Sequence, residues 1–249
     1  KATVRMERIV FTLLIATNAC CWCEKYKFVE ENKNWPDARK HCMDNFTDFL
    51  ALTSEEEEQV FKKFANNDKN GWIGLYWDKP SIKWKWSGGE FVTYHNNLDL
   101  PANLAGTDPK RIAENAFWTS SAWQWRSGDD RYNFFCVNMV PVAEEKTWED
   151  ALDHCREKNT DLLSLLSLTE SLMGQGEIQS SDYTEQVWIG LRYLGNSWMW
   201  VNGDPMPYEA WQEGDQDHMC PKLRRCVALT KQGAWESRDC QEKHSFICA

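Results

Sequence analysis

Two rhythms of apolar residues run along this chain. Trp35, Ala38 and Cys42 fall at i, i+3 and i+7, which places them on one face of a helix. Asn34 stands ready to cap that helix, and Pro36 is tolerated in a first turn whose amides lack partners anyway. Thr53 with Glu56 reads as a capping box for a second helix, and the acidic run Glu55 to Glu58 suits its positive end as a solvated helix start. Val60, Phe61 and Phe64 supply its buried stripe. The other rhythm is short and rich in β-branched and aromatic residues. Tyr26-Lys27-Phe28-Val29 predicts a first strand, and from Gly71 to Cys136 strands alternate with long irregular loops.

One apolar stretch occurs twice, as Trp72-Ile73-Gly74-Leu75 and Trp188-Ile189-Gly190-Leu191. A glycine inside a buried strand costs stability, so it is best explained where another backbone packs very close. The surroundings repeat too. Trp35, Ala38 and Cys42 return 113 residues later as Trp148, Ala151 and Cys155, and Asp48-Phe49-Leu50 returns as Asp161-Leu162-Leu163. Trp86, Gly89 and Tyr94 have counterparts in Trp200, Gly203 and Tyr208, and Trp123 and Cys136 in Trp235 and Cys248. That period matches a whole domain rather than a solenoid unit. Copy two follows the same order: Thr147 caps, Trp148 and Ala151 face inward, and Ser167 to Ile178 forms the second helix. The expected domains are 20–137 and 138–249, joined at Val137 to Pro141, a stretch too short for motion beyond a hinge. Equivalent long loops, Asn96 to Glu114 and Glu209 to Arg225, precede the last strands, and binding tends to reside on such loops.

Composition narrows the functional classes. A net charge of −10 argues against nucleic acid and anionic membrane surfaces as partners. Ten cysteines in 249 residues point to an oxidising compartment, and the repeated members of the fifteen tryptophans read as core. Arg8 precedes the apolar run Ile9 to Ala16, and Thr17-Asn18-Ala19 offers small residues for cleavage, so 1–19 reads as a secretory signal peptide with Met6 as an alternative initiator. The run is too short to cross a bilayer, and no later segment is apolar enough. The expectation is a secreted, extracellular chain, or an excerpt of a longer receptor.

The Trp-Ile-Gly-Leu strand, the Trp-x-x-Ala-x-x-x-Cys helix and the closing Phe-x-Cys at Phe246 and Cys248, matched by Phe134 and Cys136, together resemble the C-type lectin-like domain, present as a tandem pair. The layout is similar to modules of the macrophage mannose receptor group and to short secreted fish-type relatives. The resemblance implies an α+β fold in which each domain has two helices, small antiparallel sheets and a long loop region. It implies outer disulfides Cys42–Cys136 and Cys155–Cys248 and an inner one, Cys226–Cys240, whose counterparts in copy one are Ala116 and Gly128. Without that inner bridge the first long loop is expected to move more. Cys20, Cys21, Cys23 and Cys220 remain unassigned: Cys220 can pair with an N-terminal cysteine, link a second chain into an oligomer, or stay free. A zinc site from His218, Cys220 and Cys226 competes with the disulfide for Cys226.

Sugar-binding members of the family carry Glu-Pro-Asn or Gln-Pro-Asp in the long loop after Trp-x-x-Gly. A Glu before the inner cysteine and a later Trp-Asn-Asp complete a calcium cage of hard oxygen ligands. Copy two keeps Trp211-Gln212-Glu213-Gly214 but continues Asp215-Gln216-Asp217, so the proline, usually cis in the family, is gone. A cis bond before a non-proline residue costs about 2.5–4 kcal/mol, which implies a different loop geometry. The family's Glu falls on Arg224, and Trp-Asn-Asp becomes Trp235-Glu236-Ser237. Asp215, Asp217 and Glu236 either gather a calcium ion or pair with Arg224 and Arg225. In copy one Pro101-Ala102-Asn103 and Glu114 survive, but Trp123-Gln124-Trp125 replaces the last ligand pair, leaving Trp118 and Trp125 as aromatics to stack on a sugar, fill a protein pocket, or serve as core.

Catalysis is not expected. None of the five histidines shows a nucleophile spacing, and the cysteines beside His41 and His154 are claimed by disulfides. The expected function is extracellular binding of a glycan or protein through the long loops without a cofactor, with a ligand-facing set of Trp211, Asp215, Asp217, Glu236, Trp118 and Trp125. The alternatives are a calcium-dependent lectin built on Asp215, Asp217 and Glu236, or a fragment of an endocytic receptor. Asn45-Phe46-Thr47 is a glycosylation sequon.

Overall fold

The computed structural model describes residues 25–66, 68–78, 80–96, 114–180 and 185–249. The leader, Cys20, Cys21, Cys23, Pro101-Ala102-Asn103 and most of the first long loop lie outside the described residues.

Two sheets share one strand order. The first runs β1 (Tyr26–Lys33), β7 (Tyr132–Val137), β3 (Gly71–Asp78), β5 (Glu114–Trp118), β6 (Trp123–Ser127). Strand β2 (Asp48–Phe49) pairs with β7, and β4 (Lys83–Trp86) with β3. The second runs β8 (Val140–Lys146), β13 (His244–Cys248), β9 (Gln186–Leu194), β11 (Cys226–Thr230), β12 (Trp235–Arg238), with β10 (Ser197–Trp200) on β9. Among the described strand pairs, β3–β7 and β9–β13 are the parallel ones. The sequence repeat is therefore a repeat of topology.

Helices α1 (Trp35–Asn45), α2 (Glu55–Ala65), α3 (Trp148–Glu157) and α4 (Leu168–Gln179) start where side chains can take their free amides. Asn34 accepts from Asp37 N, and Thr147 from Asp150 N. For α2 the box lies one residue later than the pattern suggests. Ser54 is the cap, and Glu57 rather than Glu56 reaches back, accepting from Thr53 N at 2.6 Å. The acidic run is also less solvated than expected. Glu57 and Glu58 are both buried, on the side of α2 that carries Phe61.

The repeated tryptophans tie helix to sheet in the same way in both halves. Trp35 Nε1 donates to Ile73 O and Trp148 Nε1 to Ile189 O, each at 2.9 Å. Trp72 Nε1 donates to Lys33 O at 3.0 Å and Trp188 Nε1 to Lys146 O at 2.9 Å. These four buried indoles thus fill the core without leaving their N–H groups unmet. The strand glycines sit where predicted. A Cβ on Gly74 would stand 2.9 Å from Leu50 O, and one on Gly190 would stand 2.6 Å from Leu162 O. Cys42 is bonded to Cys136, Cys155 to Cys248, and Cys226 to Cys240.

The join between the halves is pinned rather than free. Thr47 Oγ1 accepts from Met139 N at 2.9 Å, and Asn138 N donates to Lys25 O at 2.8 Å. One apolar cluster runs through both halves, from Phe61 and Met139 to Leu163, Leu166 and Met173.

Candidate functional site

The second long loop folds back onto the sheet at a corner built by β10, β12 and a short 3-10 turn, Asp217–Met219. Backbone bonds hold it there: Trp235 N donates to Ala210 O at 2.7 Å, and Gln212 N to Trp235 O at 2.9 Å. Trp211 meets three rings, Trp235 edge-on among them. It packs on Trp198 with centroids 4.9 Å apart and is nearly parallel to His218 at 4.6 Å. Trp198 Nε1 in turn donates to His218 O at 2.8 Å, locking the residue that bears the stack. Trp211 and His218 are half-buried, so the aromatic ladder reaches the surface.

Beside it opens a cleft of about 440 Å³, lined by Gln212, Glu213, Asp215, Asp217, Arg224 and Glu236 among others. Its carboxylates face different partners. Asp215 accepts from Ser237 N and Ser237 Oγ, both at 3.0 Å, and from Asp217 N at 3.1 Å. Asp217 lies 3.4 Å from the Arg224 guanidinium, and Glu236 is paired with Arg238. Among the described residues no three His, Cys, Asp or Glu side chains converge in a way that could hold a metal ion. The peptide bonds of this loop are all trans. The zinc alternative fails on Cys226, which is buried and bonded to Cys240, while Cys220 is exposed and has no disulfide partner among the described residues.

Domain one is built differently at the same corner. Trp125, at the position of Ser237, stacks on Trp84 with centroids 4.3 Å apart, and Trp84 meets Trp77 edge-on at 5.3 Å. Trp118 does not face a ligand. It is fully buried against Phe61 and Phe135, and its indole N–H is claimed inside. The group that claims it is Glu58. Glu58 Oε1 accepts from Trp118 Nε1 at 3.2 Å, Trp123 Nε1 at 3.0 Å and Asn96 Nδ2 at 3.0 Å, with Lys62 Nζ at 3.2 Å. Its other oxygen accepts the Tyr94 hydroxyl at 2.5 Å. Burial first, then this carboxylate, holds the Tyr94 hydroxyl well above its ordinary range.

Glu58 and Trp198 were not among the sequence-predicted site residues, and His218 entered only as a zinc ligand. Glu58 could have been found, since it precedes Phe61 and Ala65 by three and seven on the buried stripe. The ladder could not, because nothing in the loop pattern places His218 over Trp211. His41 and His154 pack edge-on against Phe134 and Phe246, beside disulfide-bonded cysteines. Asn45 is exposed at the end of α1, its amide donating to His41 O at 2.9 Å.

The sequence model for the lectin C-type domain matches residues 31–139 and 144–249. Human lymphocyte antigen 75 is 25% identical over 249 residues, covering 86% of this chain and 14% of that protein. The secretory phospholipase A2 receptor of Oryctolagus cuniculus is 25% identical over 258 residues, covering 86% of this chain and 17% of the receptor. The C-type lectin lectoxin-Phi1 of Philodryas olfersii is 30% identical over 129 residues, covering 49% of this chain and 81% of the lectoxin. The chain thus spans under a fifth of the length of these receptor relatives. Among solved structures, human lithostathine is 27% identical with a TM-score of 0.40, covering 44% of this chain and 88% of its own. No helix among the described residues is long and apolar enough to cross a membrane. The shared strand order, the twice-matched sequence and the paired outer disulfides agree: the chain belongs to the lectin C-type domain family and carries two copies of that domain.

Proposed function

We propose that this is an extracellular recognition protein that binds a glycan or protein ligand at the long-loop corner of its second domain without a calcium ion. The observation that carries this reading is the dispersal of the three carboxylates: Asp215 to Ser237, Asp217 to Arg224, Glu236 to Arg238. A calcium cage requires several hard oxygens turned toward one point with excess negative charge, and here two of the three are already neutralised by guanidinium groups. What the corner offers a ligand instead is the Trp211–His218 stack and the polar cleft beside it. Half-buried aromatics of this kind serve sugar faces and protein anchors alike. The name of one relative, a receptor for a secretory phospholipase, adds weight to a protein ligand. Secretion and glycan attachment at Asn45 belong to the same reading.

Calorimetric titration of calcium into the purified protein tests it, together with a glycan array and a panel of secreted proteins probed with and without chelator. No calcium heat and chelator-resistant binding are expected. Saturable calcium uptake, with binding abolished by EDTA and dependent on Asp215 and Asp217, would establish the calcium-dependent lectin instead.

A further inference from the structure

The face where the two domains meet holds two carboxyl groups and one ammonium that the loop corners do not use. Glu57 and Glu170 occupy the same place in the two repeats, and each reaches back to the backbone ahead of its own helix. Glu57 Oε2 accepts from Thr53 N at 2.6 Å and Thr53 Oγ1 at 3.0 Å, and Glu170 Oε2 accepts from Leu166 N at 2.8 Å. Ser167, the cap of α4, crosses between domains to meet Glu57 Oε1 at 3.1 Å. Among the described residues, the one cation in the cluster is hydrogen-bonded to Glu170 and acts on Glu57 only through space. Lys25 Nζ lies 2.8 Å from Glu170 and donates to Ser164 O at 3.0 Å. Glu57 is 0% exposed, and Lys25 and Glu170 are almost as deeply enclosed.

We propose that this interface is a proton-holding joint: Glu57 carries a proton while the two domains are docked, and losing that proton loosens them. Two ionised carboxylates sharing one ammonium in a dry interface leave one charge unmatched, which is costly. A protonated Glu57 removes that charge and can itself donate to Ser167 Oγ. The remaining charged groups described at this face are acidic or already engaged. Glu90 takes the Thr169 hydroxyl, Asp204 accepts from Ser164 Oγ at 2.7 Å, and Glu58 turns the other way into the tryptophan hub. None of these supplies Glu57 with a cation. Consistent with this, desolvation first and the Glu170 charge second raise the Glu57 carboxyl to about 8.

The direction follows from linkage. A carboxyl raised on docking holds a proton that the separated state releases, so docking weakens as pH rises from about 4.5 toward about 8. The joint is therefore tighter at the low end of that window than at its high end.

Hydrogen exchange at the first turns of α2 and α4, followed in the full chain between about pH 6 and pH 9.5 after correction for intrinsic rates, tests the joint. The wild type should lose protection there steadily as pH rises toward about 8 and level off above it, while Glu57→Gln should show no such fall. Parallel profiles in the two proteins would overturn the proposal. Should Glu57→Gln not fold, infrared difference spectra of the wild type decide: a carboxylic acid band that vanishes near pH 8 supports the joint, and its absence at pH 6 refutes it.

Discussion

The Tyr94 hydroxyl donates to Glu58 at 2.5 Å, linking the chain just before the long loop in domain one to the first turn of helix α2. The same carboxylate gathers Asn96, Trp118 and Trp123, so one buried acid fastens a loop start and two strands. Domain one lacks the inner disulfide: strand register puts Asn115, rather than the expected Ala116, at the place of Cys226, and Gly128 stands where domain two has Cys240. Glu58 therefore does by hydrogen bonding part of what a covalent link does in the other half.

Glu58→Ala should be among the most damaging single changes in the chain. It strands two buried indole N–H groups and a tyrosine hydroxyl, a loss of about 3–5 kcal/mol by analogy with broken buried charge networks. Glu58→Gln should cost less, because an acceptor oxygen remains. Chemical unfolding gives both values, and near-wild-type stability for the alanine variant would refute the hub. Tyr94 adds a pH signature. Its folded-state ionisation is pushed up, so this stability is present below about pH 10 and fades above it. Glu58→Ala should move the most delayed tyrosinate absorbance toward ordinary pH.

In domain two, Ser171 stands where domain one has Glu58, and the Cys226–Cys240 bridge spans a sequence separation of 14. Replacing both cysteines by serine should cost about 3 kcal/mol in the chain-entropy model. Replacing Cys155 and Cys248, whose separation is 93, should cost about 4–5 kcal/mol. Unfolding of the two double variants under non-reducing conditions measures the order. A larger loss from the short bridge would mean that native packing, not loop entropy, sets its worth.

Much of this architecture is legible in the order of residues alone, because the signals are local or repeated. Trp35, Ala38 and Cys42 mark a helix face by spacing, and the doubled Trp-Ile-Gly-Leu marks the central strand. What stays hidden depends on partners far along the chain. The run Glu55 to Glu58 looks like a solvated helix start until Ser167, 110 residues on, closes over Glu57, and the loop tryptophans close over Glu58. Trp118 and Trp125 carry equal promise as ligand-facing rings. Only strand register shows that Trp118 points into the core while Trp125 lies on Trp84. Asp215 likewise reads as a metal ligand by motif, and its turn toward Ser237 is a loop geometry that spacing does not encode.

Gly190→Ala should destabilise domain two more than Gly74→Ala destabilises domain one. The added methyl at Gly190 would meet Leu162 O at 2.6 Å, a backbone atom that cannot swing away. At Gly74 the nearest approach is 2.9 Å to Leu50 O, with Ser87 Cβ at 3.0 Å. Overpacking of this kind costs about 1–3 kcal/mol or more, and calorimetric scans that resolve the two domains would rank the variants. Equal, small shifts would show that both strands can slide to accept a methyl.

Trp211 separates the binding reading from a purely structural one. The ring is half-buried, stacked on His218 and packed against Trp198 and Trp235. If the ladder is only packing, Trp211→Phe should be well tolerated and should leave every interaction of the protein intact. If it is the floor of a ligand site, Trp211→Phe should keep the fold while weakening capture of whichever glycan or protein the array identifies, and Trp211→Ala should weaken it further. A loss of about 1–3 kcal/mol in affinity, roughly tenfold to a hundredfold, is the scale for removing one aromatic anchor. Ser237→Ala probes the cleft rather than the stacked rings: it removes a hydroxyl that Asp215 uses, so it should lower stability by about 1 kcal/mol. Titrating the captured ligand against all three variants decides the matter, and unchanged affinity in Trp211→Ala would remove the second-domain corner from consideration as the recognition surface.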